Sequence, residues 1–136
     1  MSKISIIQVS YKNFETTTEP CLKSLFACEE FQDLEIILVD NVSGEETLSK
    51  IHNPIRGKDN IKLIENVTNR GFPGGANDAI KHATSDIIFF LDIDTIVPSG
   101  MLRELSSYLV ENPDWIVGPV TNQTGSEQKI FTHCTA

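Results

Sequence analysis

Short β-branched runs and longer stretches of helical spacing take turns along this chain. Ile4 to Val9 is short and rich in β-branched residues, which predicts a strand. A polar loop, Ser10 to Thr18, follows. Thr18 with Pro20 close behind marks a helix start, and Leu22, Leu25 and Phe26 give that helix an apolar stripe. Leu34 to Val39 is nearly continuous in apolar character, as buried parallel strands are. Asn41 to Glu46 predicts a loop, with a helix from there to about His52. Ile61 to Glu65 is a third, weaker strand. The segment Asn69-Arg70-Gly71-Phe72-Pro73-Gly74-Gly75 predicts a loop opening a helix through Ala76, Ala79, Ile80 and Ala83. Ile87 to Leu91 has the character of the most buried strand. Met101, Leu102, Leu105, Tyr108 and Leu109 then recur at helical spacing until Pro113 stops them. Trp115 to Val117 suits a short fifth strand, and the tail from Thr121 is polar and carries no assignment.

This β-α-β-α-β-α-β-α-β order specifies an α/β fold, an open, mostly parallel sheet with right-handed crossovers and helices on both faces. The 136 residues make one domain, residues 1–118, followed by a polar tail, 119–136. Nineteen acidic against eleven basic residues leave a net charge of −8, which argues against nucleic acid as the main partner. The longest apolar run, Ile87 to Leu91, is too short to span a bilayer, and the N-terminus lacks the apolar segment of a signal peptide. A cytoplasmic chain is the expectation. Cys21, Cys28 and Cys134 match no zinc spacing; Cys21 and Cys28, two helical turns apart, are expected to face the core. His52, His82 and His133 fall at no ligand spacing and are read as solvated surface.

In open parallel sheets a ligand sits beyond the carboxyl ends of the strands. Residues just after strands are therefore the candidates: Ser10 and Tyr11, Asp40 and Asn41, the Asn69–Gly75 segment, and Asp92 with Asp94. If Asp92-Ile93-Asp94 continues the strand, the two carboxylates point to one side about 6.6 Å apart, at ~3.3 Å per residue. Such a pair suits a hard divalent cation, though it also reads as a strand end followed by a turn residue. The glycine-rich segment is neither a Walker loop nor a dinucleotide fingerprint. It leaves a helix N-terminus where backbone amides meet a phosphate, or a plain strand-to-helix turn. Tyr11 offers a ring for a base to stack on, and Asp40 an acceptor for a base imide N–H. A diphosphate entering a rim with three carboxylates is repelled, by about 4 kcal/mol per pair of unit charges ~4 Å apart at an effective dielectric of 20. A divalent ion reverses that sign, so metal and nucleotide are expected together.

Val9-Ser10-Tyr11, Ile37-Leu38-Val39-Asp40-Asn41, Asn69-Arg70-Gly71-Phe72 with Ala76 and Asn77, and Phe90-Leu91-Asp92-Ile93-Asp94 together resemble the motifs of the family 2 inverting glycosyltransferases, of GT-A fold, in their order and spacing over about residues 3 to 118. The resemblance implies a Rossmann-like half that binds a nucleotide sugar, with Ser10, Tyr11 and Asp40 on the base, usually uracil or thymine. It implies that Asp92 contacts ribose or sugar and that Asp94 ligates Mn2+ or Mg2+. Asn69, Gly71 and Asn77 would lie beside nucleotide and diphosphate. Lys12 and Val42-Ser43-Gly44-Glu45 depart from the family's pattern, while Asn41 and Gly118-Pro119 lean toward its rhamnosyltransferase-like branch.

The implied reaction moves sugar from a UDP-sugar or dTDP-sugar to a saccharide or lipid-linked acceptor, as in polysaccharide biosynthesis. The expected setting is the cytoplasm or the inner membrane face, with a homo-oligomer compatible with it. Family members are about twice as long, so the tail is expected to open an acceptor-binding half that carries the catalytic base. Glu104 and Glu111 lie on the predicted helix and Asp114 past its end, Glu127 in the tail is a speculative candidate for that base, and sugar transfer by the chain alone is not expected. Other readings are a non-catalytic nucleotide-sugar module and, with less support, a sugar-phosphate nucleotidyltransferase. A flavodoxin-like regulator explains neither Tyr11 nor the Asp pair.

Overall fold

The computed structural model describes residues 3–119. In chain order they form β1 (Ile4–Ser10), α1 (Thr18–Phe26), a single 3-10 turn (Phe31–Asp33), β2 (Leu34–Asp40), α2 (Glu45–Ile55), β3 (Ile61–Glu65), α3 (Gly71–Ile80), β4 (Ile87–Phe90) and α4 (Met101–Glu111). All four strands are parallel, in the order β3-β2-β1-β4. The α/β sheet with helices on both faces is therefore as the pattern predicts.

The register aligns Ile4 with Leu34 and Ser10 with Asp40, and Asp40 in turn with Glu65. It follows from side-chain alternation that one face of the sheet carries Ile4, Ile6, Leu34 and Ile36, and the other Ile7, Ile37 and Val39. The first face packs against Cys21, Leu25 and Cys28 of the α1 region and Leu102 of α4. Leu38 extends that face toward Leu22 and Ile51, bringing in α2. The second face is covered by Ala76 and Ala79 of α3. Both cysteines are buried, as expected, whereas His52 and His82 are exposed and contact Glu65 and Lys62 respectively.

Four local expectations need correction. Ile87 to Leu91 is not the most buried strand: β4 is at the sheet edge, with Ile88 36% and Phe90 52% exposed. Ile87 and Phe89 pack on the α1–α4 side, but α3 lies over β1 and β2 and leaves the other side of β4 uncovered. The segment 115–117 forms no strand. The polar loop after β1 contributes a core residue, Phe14, 4% exposed. The glycine-rich segment is already helix, since α3 starts at Gly71. Most of the 119–136 tail, with Cys134, His133 and Glu127, lies outside the described residues.

Gly75 explains why a helix with poor intrinsic propensity forms there. A Cβ at this position would lie 2.8 and 3.1 Å from the two γ-methyl carbons of Val9 and 3.6 Å from one on Val39. The missing side chain lets α3 settle directly onto β1 and β2. Val9 is β-branched and has little rotamer freedom with which to yield. Gly75→Ala is thus expected to destabilise the fold by about 1–3 kcal/mol through overpacking. Gly118→Ala, where the added atom meets nothing within 4 Å, is the control. Chemical denaturation of both variants checks the difference, and equal stabilities would count against a tight α3 contact.

Candidate functional site

Parallel pairing delivers the carboxyl ends of all four strands to one rim, and most of the sequence-predicted site residues converge there. Ser10 ends β1 and is fully buried; its hydroxyl is 2.8 Å from that of Thr18, and its carbonyl accepts the Asn41 N–H at 2.8 Å. Tyr11 follows and is 44% exposed, with Lys12 Nζ 5.0 Å from its ring centroid. The ring joins no core.

Asp40 ends β2 and is 3% exposed. Its Oδ2 accepts the Ser43 N–H at 3.1 Å, while its Oδ1 is buried with no partner. A buried carboxylate oxygen without a donor is costly. Around it the backbone is strained. Lys12, Asn13 and the β-branched Val42 all sit in the left-handed region, at φ 56°, 47° and 68°, at roughly 1–2 kcal/mol per residue. The Lys12 N–H donates to Ser43 Oγ at 2.8 Å, which ties the loop after β1 to the loop after β2. Strain gathered around an unpaired buried acceptor marks a place shaped for something other than stability.

Asn41, 2% exposed, is the hub of the next layer. Its amide donates to Asn69 Oδ1 at 2.8 Å and to the Gly71 carbonyl at 3.2 Å. Its oxygen accepts from Asn66 Nδ2 and from the Arg70 N–H, both at 3.2 Å. Both donors and both lone pairs are used, so one side chain locks the end of β2 to the start of α3. Asn69 also accepts the Gly71 N–H at 2.9 Å, at a turn where a φ of +65° suits glycine. The sequence placed Asn41 at a strand end but gave no sign of this pairing. Asn77 is exposed on α3. Arg70 is committed to Asp78, with bonds of 2.8 and 2.6 Å, and Lys81 adds another at 3.1 Å. Lys81 first, then Arg70, hold the partly buried Asp78 carboxyl below its usual range.

Asp92 and Asp94 do not continue the strand. Leu91 N–H still bonds the Ile7 carbonyl at 3.0 Å, but the Asp92 carbonyl then accepts the Thr95 N–H at 3.2 Å, closing a turn. The two carboxylates are therefore presented from one turn rather than from alternate positions of an extended chain. Both are exposed, and neither has a hydrogen-bond or ion-pair partner among the described residues. The buried carboxylate of the strand ends is Asp40 instead. The loop from Asp92 to Gly100 is strapped to α1 and its following turn. Ser24 Oγ accepts the Val97 N–H at 3.0 Å, and the buried Glu30 accepts the Gly100 N–H at 3.1 and 3.3 Å. Cys21 lies beneath the turn, its thiol pushed up to about 11 chiefly by burial, and so carries its proton at neutral pH.

Comparison with known proteins gives a consistent picture. A family model described as glycosyl transferase family 2 matches residues 5–135. A poly(ribitol-phosphate) beta-glucosyltransferase from Bacillus spizizenii is 36% identical over 112 residues, covering 81% of this chain and 18% of that relative. A GalNAc(5)-diNAcBac-PP-undecaprenol beta-1,3-glucosyltransferase from Campylobacter jejuni is 33% identical over 106 residues, covering 77% and 34%. The chain thus spans at most about a third of the length of these two relatives. Among solved structures, a 1–349 fragment of TarS from S. aureus in complex with UDP superposes with a TM-score of 0.76 and 29% identity, over 96% of this chain and 40% of that one.

Proposed function

The chain belongs to glycosyl transferase family 2 and has the GT-A fold; from that premise we propose that its rim binds a uridine diphosphate sugar together with a divalent cation. The whole protein would pass the sugar to an acceptor hydroxyl with inversion. The observation that carries this reading is the unpaired Asp40 Oδ1. It needs an N–H donor in a place closed to bulk water, and the imide of uracil supplies one; thymine carries the same group. Tyr11 offers its exposed ring to the base, a stacking contact of about 1–3 kcal/mol. The UDP held by the TarS fragment, 29% identical to this chain, supports uracil.

Asp92 and Asp94 fit a hard cation. Their carboxylates are unengaged, and no group of three or more His, Cys, Asp or Glu residues forms a protein-only cage among the described residues. Such a site holds an ion that completes its shell with phosphate oxygens and water. When bound, the cation neutralises charge gathering on the departing diphosphate. Asn41 sets the start of α3 beside that diphosphate, and Tyr11 and Asp40 fix the nucleoside. The acceptor hydroxyl must also lose a proton to a base; none of Glu104, Glu111 and Asp114 is placed at this rim by any contact, and we assign the base to the acceptor side of the protein. The acceptor is a saccharide or a lipid-linked carbohydrate, met in the cytoplasm or at the membrane's inner face. No helix among the described residues is long and apolar enough to cross a membrane.

Titration calorimetry with UDP and manganese chloride tests the reading. Saturable binding that ADP fails to displace is the expected result. No binding, or displacement by ADP as readily as by UDP, would overturn it.

A further inference from the structure

Strand β1 directs Ile4, Ile6, Gln8 and Ser10 toward the α1 side of the sheet. Ile4 and Ile6 join the apolar cluster, and Ser10 is paired with Thr18. Gln8 is the anomaly. It is fully buried, level with Leu38 on β2, and its Oε1 has no partner. A leucine would fit this strand at lower cost, because an unpaired buried amide oxygen is destabilising. Stability does not explain the amide.

Its other end does. Gln8 Nε2 donates to Cys21 Sγ at 3.1 Å, and the Cys21 thiol points its hydrogen at the Asp92 carbonyl, 3.7 Å away. That carbonyl is the one that closes the Asp92–Thr95 turn. A buried amide-to-thiol-to-carbonyl relay therefore runs from β1 through α1 to the backbone of the turn that presents Asp92 and Asp94. The neighbouring anchors act on either side of the turn: Leu91 on Ile7 before it, Ser24 and Cys28 on Val97 after it. We propose that Gln8 and Cys21 are positioning residues, which fix the acidic turn from below and so set how tightly it holds the cation that bridges to the nucleotide diphosphate. This inference rests on the cation reading above.

The test compares wild type, Gln8→Leu, Cys21→Ala and Cys21→Ser by titration with uridine and with UDP, each with and without manganese chloride, alongside thermal unfolding. Groups that orient metal ligands typically contribute about 10–100-fold in metal affinity. Gln8→Leu is expected to melt at or above the wild-type temperature and to bind uridine unchanged, yet to lose ~10-fold of the gain in UDP affinity that manganese brings. Cys21→Ala should lose a similar share, and Cys21→Ser, which keeps a donor in place, should recover most of it. A full manganese gain in Gln8→Leu overturns the proposal, as does a uridine affinity that falls in step with UDP. A Gln8→Leu chain that fails to fold leaves the cysteine pair to decide, and equal losses in Ala and Ser variants overturn it there. If wild type itself shows no manganese gain, the cation reading fails and takes this inference with it.

Discussion

Asp40→Asn is expected to weaken UDP binding about 10- to 100-fold and to turn a preference for UDP over CDP into the reverse. The carboxylate performs two acceptor tasks at once: Oδ2 takes the Ser43 N–H, and Oδ1 waits, buried and unpaired, for a donor. An amide has one oxygen. Ser43 keeps it, because its N–H is fixed by the loop, and the NH2 group then faces the ligand. Against uracil this sets donor against donor, while cytosine offers a lone pair at the same ring position. A hydrogen bond to a charged group is worth about 1.5–3 kcal/mol, which at roughly 1.4 kcal/mol per decade gives the stated range. Competition titrations of UDP against CDP, run on wild type and variant, measure the ratio directly. An unchanged ratio would remove Asp40 from base recognition while leaving the fold argument intact.

The parts of this site that could be read in the sequence are those whose burial is written locally. β1 and β2 are apolar on both faces, so Ile4–Val9 and Leu34–Val39 announce central strands, and with them the rim where Tyr11 and Asp40 must emerge. β4 carries the same kind of run, Ile-Ile-Phe-Phe, yet lies at an edge. Composition reports the wish to be buried; strand order depends on which helices arrive to cover it, and no local pattern encodes that. The helical start of α3 was hidden for the opposite reason. Gly71, Gly74 and Gly75 each cost about 1 kcal/mol in a helix, and only the fit of Gly75 under Val9 and Val39 makes the helix worth forming. The turn at Asp92 stood as one of two readings because a strand and a turn can both follow an apolar run. Gln8 did leave a signal, an amide between Ile7 and Val9 in a largely apolar strand. Recognising its partner needed Cys21, thirteen residues away on another element.

Without metal, UDP is expected to bind this chain no better than uridine does; with manganese it should bind about 10- to 100-fold better. The argument is electrostatic. Asp92 and Asp94 have no partner among the described residues, Asp40 is buried in strand register with Ser10 at the end of β1, and Arg70 and Lys81 are committed to Asp78. Lys12, over the Tyr11 ring, is a cation in the loop after β1. Adding two phosphates to uridine therefore adds contacts and repulsion together. For exposed charges ~4 Å apart the repulsion is about 1 kcal/mol per pair in water, rising toward about 4 where solvent is partly excluded, and added salt reduces it further. A divalent ion turns each repulsive pair into two attractive ones, but uridine, which lacks the diphosphate, gives it nothing to bridge. Uridine affinity should therefore ignore manganese while UDP affinity follows it. Asp94→Ala should cut both the penalty and the gain, so that UDP binding becomes nearly indifferent to the metal. Calorimetry with uridine, UMP and UDP in chelator and in manganese separates these cases. UDP binding that is strong in chelator and unmoved by Asp94→Ala would mean that the diphosphate is held by amides and cations of the chain, and that the acidic turn serves another purpose.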